Sequence, residues 1–425
     1  MNNKFKIWHL LLIIWLLILF LRSEFIFDLI LFFIYYVKLI NGHPALMAAQ
    51  MNITLIDNLI SLFAITFLPF IFCLRRKKLK FLYYRAGFTS SVLSVLIIFT
   101  FLAPIAAPSQ YDLQYNISVS KLLNPLSSKK IVHLRKDTVD KNPVDKFISQ
   151  RDLIYNKGIA GEYIIADSIK SGNGLTIYQK GRRQLISKEY IAGENILPEI
   201  STLYFPLGTD EYGRDIFSRL IYGTRLSLFV GFGAVFISFL IGLVLGFTAG
   251  YYGRLADTVL SRVSDIFLSF PIIFLIILIV ALFGNSIMTI IAVLGFAGWM
   301  SLFKIIRNET ASLKNKDFIV TAKMLGFSNY HILFNEMLPI MMPSIIVTLV
   351  LQYGGVIIAE SALSYLGLGL GNNYPSWGAM IEAGQYYLSK AWWMSFFPCL
   401  FLFMTLYTAY HFGGKLESVF KLKMK

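Results

Sequence analysis

The stretch TAKMLGFSNYHILFNEMLPIMMPS (321–344) is a broken, partly polar segment set between long hydrophobic runs. It reads as two short helices. In DFIVTAKML (317–325) the residues Phe318, Ile319, Ala322 and Leu325 fall on one helical face. Gly326 suits the left-handed position that ends a helix. Ser328 or Asn329 can cap the next one, which runs through YHILFNEML. Pro339 lacks an N–H and disfavours a helical Leu338, so a bend is expected before the next hydrophobic run. The pattern fits an interfacial connector lying on lipid headgroups. It also fits a rigid knob that seats in a groove of a soluble partner, with Thr321, Ala322 and Gly326 small enough to allow close approach.

The surrounding chain decides what kind of protein carries this element. Of its 425 residues 56% are hydrophobic, and the mean hydropathy is +0.64; soluble domains average about 45–50% apolar. Apolar runs at 5–21, 25–40, 53–74, 88–107, 224–250, 265–283, 287–306, 340–363 and 393–412 approach or exceed the roughly 18–20 residues that cross a bilayer. The fold class is therefore an all-α polytopic membrane protein. The run at 25–40 contains Asp28 and Lys38 and reads as a span, a re-entrant piece or an interfacial helix. No small-residue cleavage site follows IWHLLLIIWLLILFL (7–21), so that run is retained.

A net charge of +15 raises the question of nucleic acid, but its distribution points to membrane sidedness. Arg75, Arg76, Lys77, Lys78, Lys80 and Arg85 form one cluster. Arg254, Arg262, Arg307, Lys314, Lys316, Lys323 and the lysine-rich tail form others. All flank apolar runs, the pattern of cytoplasmic loops, and no nucleic-acid-reading motif accompanies them. Alternation from residue 88 gives six spans consistent with every cluster. It leaves the polar region 108–206 outside; its second half, EYIIADSIKSGNGLTIYQKGRRQLISKEYIAG (162–193), alternates like strands, with SGNG as a hairpin turn. With a cytoplasmic N-terminus (Lys4, Lys6), an even number of spans precedes residue 75, two spans plus one non-spanning element; three spans with an outside N-terminus are the alternative. Cys73 and Cys399 both lie in apolar runs and the five histidines are scattered, so neither a disulfide framework nor a metal cluster is expected.

Three further groups of residues stand out. Gly208, Asp210, Gly213, Arg214 and Asp215 precede a helix expected to start near Ile216; they read as its cap or as a contact for an external partner. Glu360 lies at the end of an apolar run, where ionisable groups are costly and functional by default; a backbone-bonded interfacial carboxylate is the plainer reading, and Asp265 is similar. Ser364 and Gly367 belong to SYLGLGLG (364–371), whose small residues permit close approach at the external end of a pathway. No G-x-x-x-x-G-K-[ST] phosphate loop occurs, and no catalytic triad or metal-hydrolase motif stands out.

The 317–339 segment resembles the "EAA" coupling loop of ABC-importer permeases. Thr321 and Ala322 stand at the alanine pair, Gly326 at the glycine, and Leu338–Pro339 at the closing Leu-Pro, while Val320 replaces the usual Glu. PLGTDEYGRDIFSRLIYGTRLSL (206–228), AESALSYLGLGLGNNYPSWGAMI (359–381) and KFLYYRAGFTSSVLSVLIIFTFLAPIAAP (80–108) resemble segments of the dipeptide/oligopeptide (peptide/nickel) permease family, C-type subunit. The tail AYHFGGKLES departs from that family's usual ending. The resemblance implies a type I ABC importer transmembrane domain with six core spans, preceded by extra N-terminal spans and carrying a small, mostly β external insert. The implied organisation is 1–75 extra membrane segments, 76–107 first core span, 108–206 insert, 207–412 permease core with coupling loop 317–339, and 413–425 cytoplasmic tail.

Asp317, Thr321, Ala322, Gly326, Leu338 and Pro339 would then serve ATPase coupling, and Glu360, Ser364 and Gly367 the pathway or its gate. The implied partners are a homologous second permease, two cytoplasmic ATPase subunits that bind ATP and Mg, an extracytoplasmic substrate-binding protein, and the lipid bilayer. The chain itself would hold no cofactor and no metal and catalyse no reaction; it would be a multi-pass protein of a prokaryotic cytoplasmic (inner) membrane that imports peptides. Nickel or another small solute is an alternative cargo. A stand-alone secondary transporter or channel, or a membrane-anchored sensor, are the alternatives from other classes; the first would call for charges along several spans, which are nearly charge-free here.

Overall fold

The computed structural model describes residues 6–40, 53–74, 87–133, 143–157, 163–171, 175–179, 182–186, 200–371 and 374–423. Among the described residues five helices are long and apolar enough to cross a membrane: Phe88–Ala106, Ile216–Tyr252, Ile287–Leu313, Asn329–Tyr365 and Trp393–Lys415. Two helix pairs pass the same test but are bent, Ile7–Leu21 with Ser23–Lys38 by 75° and Arg254–Ser269 with Ile272–Phe283 by 86°. By length and composition the five long helices account for five of the six crossings expected from residue 88 onward, and the second bent pair is a broken span or a re-entrant loop.

The run at 265–283 is therefore not one helix. Phe270 is extended (φ −88°, ψ 138°), as the residue before Pro271 prefers to be. The Arg254–Ser269 helix is amphipathic and exposes Leu255, Val259 and Ile266. The bend expected at Pro339 is also absent. A π-helical turn, Ile332–Met337, leads straight into Leu338–Tyr365. Pro339 falls in the first turn of that α segment, where its missing N–H costs little.

The chain forms two compact units. One comprises residues 1–225 and 383–398. Here the N-terminal helices pack on Phe88–Ala106. Trp15 Nε1 donates to the Ile65 carbonyl at 2.9 Å, Ser61 Oγ to Phe101 at 3.1 Å, and Arg22 Nε to Ile105 at 3.1 Å. Lys157 Nζ donates to the Pro104 carbonyl and stands 3.3 Å from Asn58 Oδ1. Arg22 and Lys157 thus bring positive charge to the carboxyl end of a helix, where the dipole favours it. These contacts set the end of Ile7–Leu21, the start of Ile53–Leu74 and the end of Phe88–Ala106 at one level.

The insert contains two three-stranded antiparallel sheets. β1 (Ser127–His133) lies between β2 (Tyr163–Ala166) and β6 (Ile200–Phe205), and β4 (Leu175–Gln179) between β3 (Ser168–Ser171) and β5 (Arg182–Ile186). β3 and β4 form the expected hairpin, with Ser171 opposite Leu175; residues 172–174 lie outside the described residues. A helix the sequence did not suggest, Pro143–Tyr155, interrupts the strands. Its Phe147 stacks on Phe32 at 5.1 Å, so this helix is held by the N-terminal segment.

The other unit comprises residues 226–382 and 399–425. Between apolar helices in lipid no hydrophobic force drives association, so close backbone approach matters more. Gly242, Gly246 and Gly250 supply it. A Cβ at these positions would come within 2.8 Å of Leu302 Cβ, 2.8 Å of Ile306 Cβ and 2.6 Å of the Arg307 carbonyl. Arg307 also clamps Asp257, with Nη2 2.7 Å from Oδ2. Asp265, flagged by sequence, pairs with Lys304 at 3.0 Å.

Candidate functional site

The 317–339 segment is built from its ends. The Asp317–Met324 helix closes at Gly326, whose φ of +80° is left-handed. The Phe327 N–H bonds the Ala322 carbonyl at 3.2 Å and the Gly326 N–H bonds Lys323 at 3.0 Å, the two bonds of a Schellman stop. Ser328 then caps the next helix by accepting from the His331 N–H. A covalent corner with satisfied ends holds the two helices at a fixed angle.

Its inner face is anchored in a core of Ile319, Ala322, Ile332, Leu333, Met337 and Met341 with Phe247, Ile306 and Leu313. Tyr251 Oη donates to Asn329 Oδ1 at 2.7 Å, and Lys323 Nζ sits 4.5 Å over the Tyr251 ring. The outer face is apolar and unsupported: Met324, Leu325 and Tyr330 are 82%, 70% and 73% exposed. This corrects the sequence expectation in two respects. Phe318 and Leu325 are exposed and do not share the buried side with Ile319 and Ala322. Ala322 is buried in the segment's own base. Thr321 is exposed and donates to the Asp317 carbonyl at 2.8 Å. Leu338 packs against the same core, and Pro339 is exposed.

Glu360 is buried near the other end of that long helix. Ser364 Oγ donates to its Oε1 at 3.1 Å, and Ser227, Ser361 and Ser376 close round the same carboxyl. Ser227 also accepts from the Trp377 N–H at 3.4 Å. A Cβ at Gly369 would lie 2.0 Å from Ser364 Oγ and one at Gly378 2.6 Å from Ser361 Cα, so the following segment folds back onto this turn. Gly367 (φ +75°) is exposed and ends the helix through a second Schellman pair: its N–H bonds Ser364 at 3.0 Å, and Leu368 bonds Leu363 at 2.9 Å.

In the first unit the 208–215 segment is a buried ion network. Asp210 Oδ1 accepts from the Tyr212 and Arg214 N–H groups at 2.9 Å each, and Oδ2 from Arg214 Nε at 2.6 Å, with Arg219 Nε at 3.7 Å. Asp215 caps the helix at Ile216, accepting from the Ser218 N–H at 2.8 Å and hydroxyl at 2.6 Å. Gly208 (φ +80°) and Gly213 (φ +73°) make the two tight corners; a Cβ at Gly208 would strike the Leu123 carbonyl at 2.4 Å. Thr209, unnoticed in the sequence, locks the segment to residues 120–123 through its hydroxyl.

Burial pushes the Asp215 carboxyl up to about 6. The folded state therefore holds this proton more tightly than the unfolded chain, whose aspartates titrate near 4. Acidification through the window from about pH 6 to pH 4 then removes a cost of burying the charge. Asp215→Asn is expected to flatten that part of the stability–pH curve relative to the unsubstituted chain, read by unfolding in detergent; parallel curves would count against it.

Among the described residues no cluster of three or more His, Cys, Asp or Glu side chains could hold a metal ion. What the geometry offers is a stiff projection with an apolar tip and two tightly packed helix ends.

The sequence profile of the family described as "Binding-protein-dependent transport system inner membrane component" matches residues 242–414. The dipeptide transport system permease protein DppC of Bacillus subtilis is 37% identical over 233 residues, 55% of this chain and 72% of that protein. The oligopeptide transport system permease protein OppC of Haemophilus influenzae is 37% identical over 215 residues, 51% and 69% of the two chains. Among solved structures, a chain of the inward-facing MetNI methionine ABC transporter is 17% identical with a TM-score of 0.40, covering 48% of this chain and 97% of that one.

Proposed function

This chain belongs to the family of binding-protein-dependent transport system inner membrane components, and from that premise we propose that it lines the route by which di- or oligopeptides enter the cell. It is a multi-pass inner-membrane permease subunit. The observation that carries the mechanism is the 317–339 knob: an apolar tip of Met324, Leu325 and Tyr330 on a fully packed base. Such a projection transmits force when a groove in a soluble partner closes on it. The partners are two ATPase subunits on the cytoplasmic side, which bind ATP and Mg, a second homologous permease that completes the pathway, and an external binding protein that delivers the peptide. ATP-driven closure moves the knob, the attached long helices tilt, and the pathway opens outward; hydrolysis returns it to inward-open. Bond-breaking belongs to the ATPases. The Glu360–Ser364 turn, tied to the segment that folds back over it, forms a gate at the outer end.

The test is affinity purification of the tagged chain in mild detergent with mass spectrometry. A second permease and ATPase subunits are expected to co-purify. The pair Leu325→Glu and Tyr330→Glu, both solvent-exposed and outside the core, is expected to lower ATPase recovery by about tenfold or more, the scale of losing apolar anchors from an interface, while the second permease is retained. Undiminished ATPase recovery in that variant would remove the knob from the docking interface. Recovery of the chain alone, under conditions that keep a known ABC complex together, would point instead to a stand-alone transporter.

A further inference from the structure

We propose that the Ser23–Ile40 helix lies in the plane of the outer leaflet as a lipid-binding platform, and that the external insert is seated on it. The inference concerns the N-terminal segment and does not depend on what the permease carries; its sidedness follows from the charge alternation that puts residues 108–206 outside.

The helix has three faces. Phe27, Ile30, Ile34 and Val37 are all exposed and fall within an arc of about 80° at 3.6 residues per turn. Glu24, Asp28, Tyr35 and Lys38 occupy the adjoining arc. Phe25, Leu29, Phe32 and Tyr36 lie on the far side, packed in the core of the first unit. An exposed apolar stripe bordered by a charged strip is the signature of a helix at a membrane–water boundary.

Geometry excludes a crossing. Arg22, immediately before the helix, bonds the Ile105 carbonyl at the end of Phe88–Ala106, so the helix begins at the external level. From Ser23 to Lys38 it is about 24 Å long, yet at 75° to Ile7–Leu21 this stretch advances only about 6 Å along that helix's axis. Threading it through the bilayer would also place Glu24, Asp28 and Lys38 toward hydrocarbon, at about 2.5–3.5 kcal/mol for a charge near the centre.

The occupant of the stripe follows from its neighbours. The helices on either side expose Leu12, Leu16 and Phe20, and Ile56, Ile60 and Phe67, so the platform joins two lipid-facing surfaces. Opposite the stripe, Phe147 of the insert stacks on Phe32 at 5.1 Å and lies 6.3 Å from the Tyr36 ring. At the end of that insert helix Lys157 reaches down to Pro104 and Asn58, its ammonium 4.3 Å over Phe25. The extra N-terminal helices and the insert, far apart in sequence, are one device: a foot in the lipid surface and a domain standing on it.

The test is depth-dependent fluorescence quenching on the full complex in lipid nanodiscs. Phe27→Cys, Ile30→Cys, Ile34→Cys and Val37→Cys, each in a chain carrying Cys73→Ser and Cys399→Ser, are labelled with an environment-sensitive dye. Glu24→Cys and Asp28→Cys serve as the polar-face controls. Phosphatidylcholines brominated near the headgroup or near the chain end are the quenchers. All four stripe positions are expected to be quenched about twofold or more above the controls, at one shallow depth, as for an interfacial helix. A depth that changes steadily from position 27 to 37 would establish a crossing and overturn the proposal. So would stripe positions quenched no more than the controls, which would mean that protein or water covers them.

Discussion

Replacing Gly326 with proline is expected to abolish binding-protein-stimulated ATP hydrolysis in reconstituted complexes while the chain still inserts in the membrane. Gly326 sits at φ +80°, and the pyrrolidine ring is fixed near −65°. The substitution also deletes the Gly326 N–H that bonds Lys323, so the angle between the two short helices is lost at a local cost of about 3 kcal/mol or more. Gly326→Ala is the informative companion. A Cβ there meets nothing within 4 Å, so alanine carries only the left-handed backbone cost of about 1–2 kcal/mol and should retain most activity. ATPase stimulation in proteoliposomes reads both. A proline variant that works normally would mean that the corner's geometry plays no part in coupling.

Asp210→Ala is expected to cause the largest loss of stability in the first unit. It leaves the guanidiniums of Arg214 and Arg219 buried without their shared carboxylate, and it orphans two backbone N–H groups. Breaking one side of a buried ion network costs about 3–5 kcal/mol. Asp210→Asn should cost less, because its carbonyl still accepts from the backbone. Thermal unfolding in detergent and limited proteolysis of residues 108–215 would report the difference. Equal stability for Ala, Asn and the unsubstituted chain would show that the network is incidental.

The features legible in the sequence were those whose physics is local. Gly326 as a helix stop, Ser328 as a cap and the acidic cap ahead of Ile216 each involve residues within one turn of one another. The strand alternation after residue 162 gave the β3–β4 hairpin for the same reason. What escaped depends on partners far along the chain. Glu360 reads as a lone carboxylate until Ser227, more than a hundred residues earlier, is brought beside it. Ala322 looks free to meet a partner until the fold buries it in a core shared with residues from distant helices. The Phe270–Pro271 break was available as a signal and was overridden by the length of the apolar run. The π turn before Pro339 has no simple sequence mark. The four-residue spacing of Gly242, Gly246 and Gly250 is visible in the sequence, but the helix it packs against is not.

That glycine ladder has a mechanical consequence. Leu302, Ile306 and Thr310 stand on one side of their helix at the same four-residue interval and rest against Gly242, Gly246 and Gly250 in matching order. Teeth and notches of equal spacing resist slippage by anything less than one four-residue step, about 6 Å. The two helices therefore cannot creep past each other under load. On the proposed coupling route, a push delivered at the ends where Tyr251 grips Asn329 would swing the two helices together like the arm of a seesaw, turning a small stroke at one end into a displacement at the other.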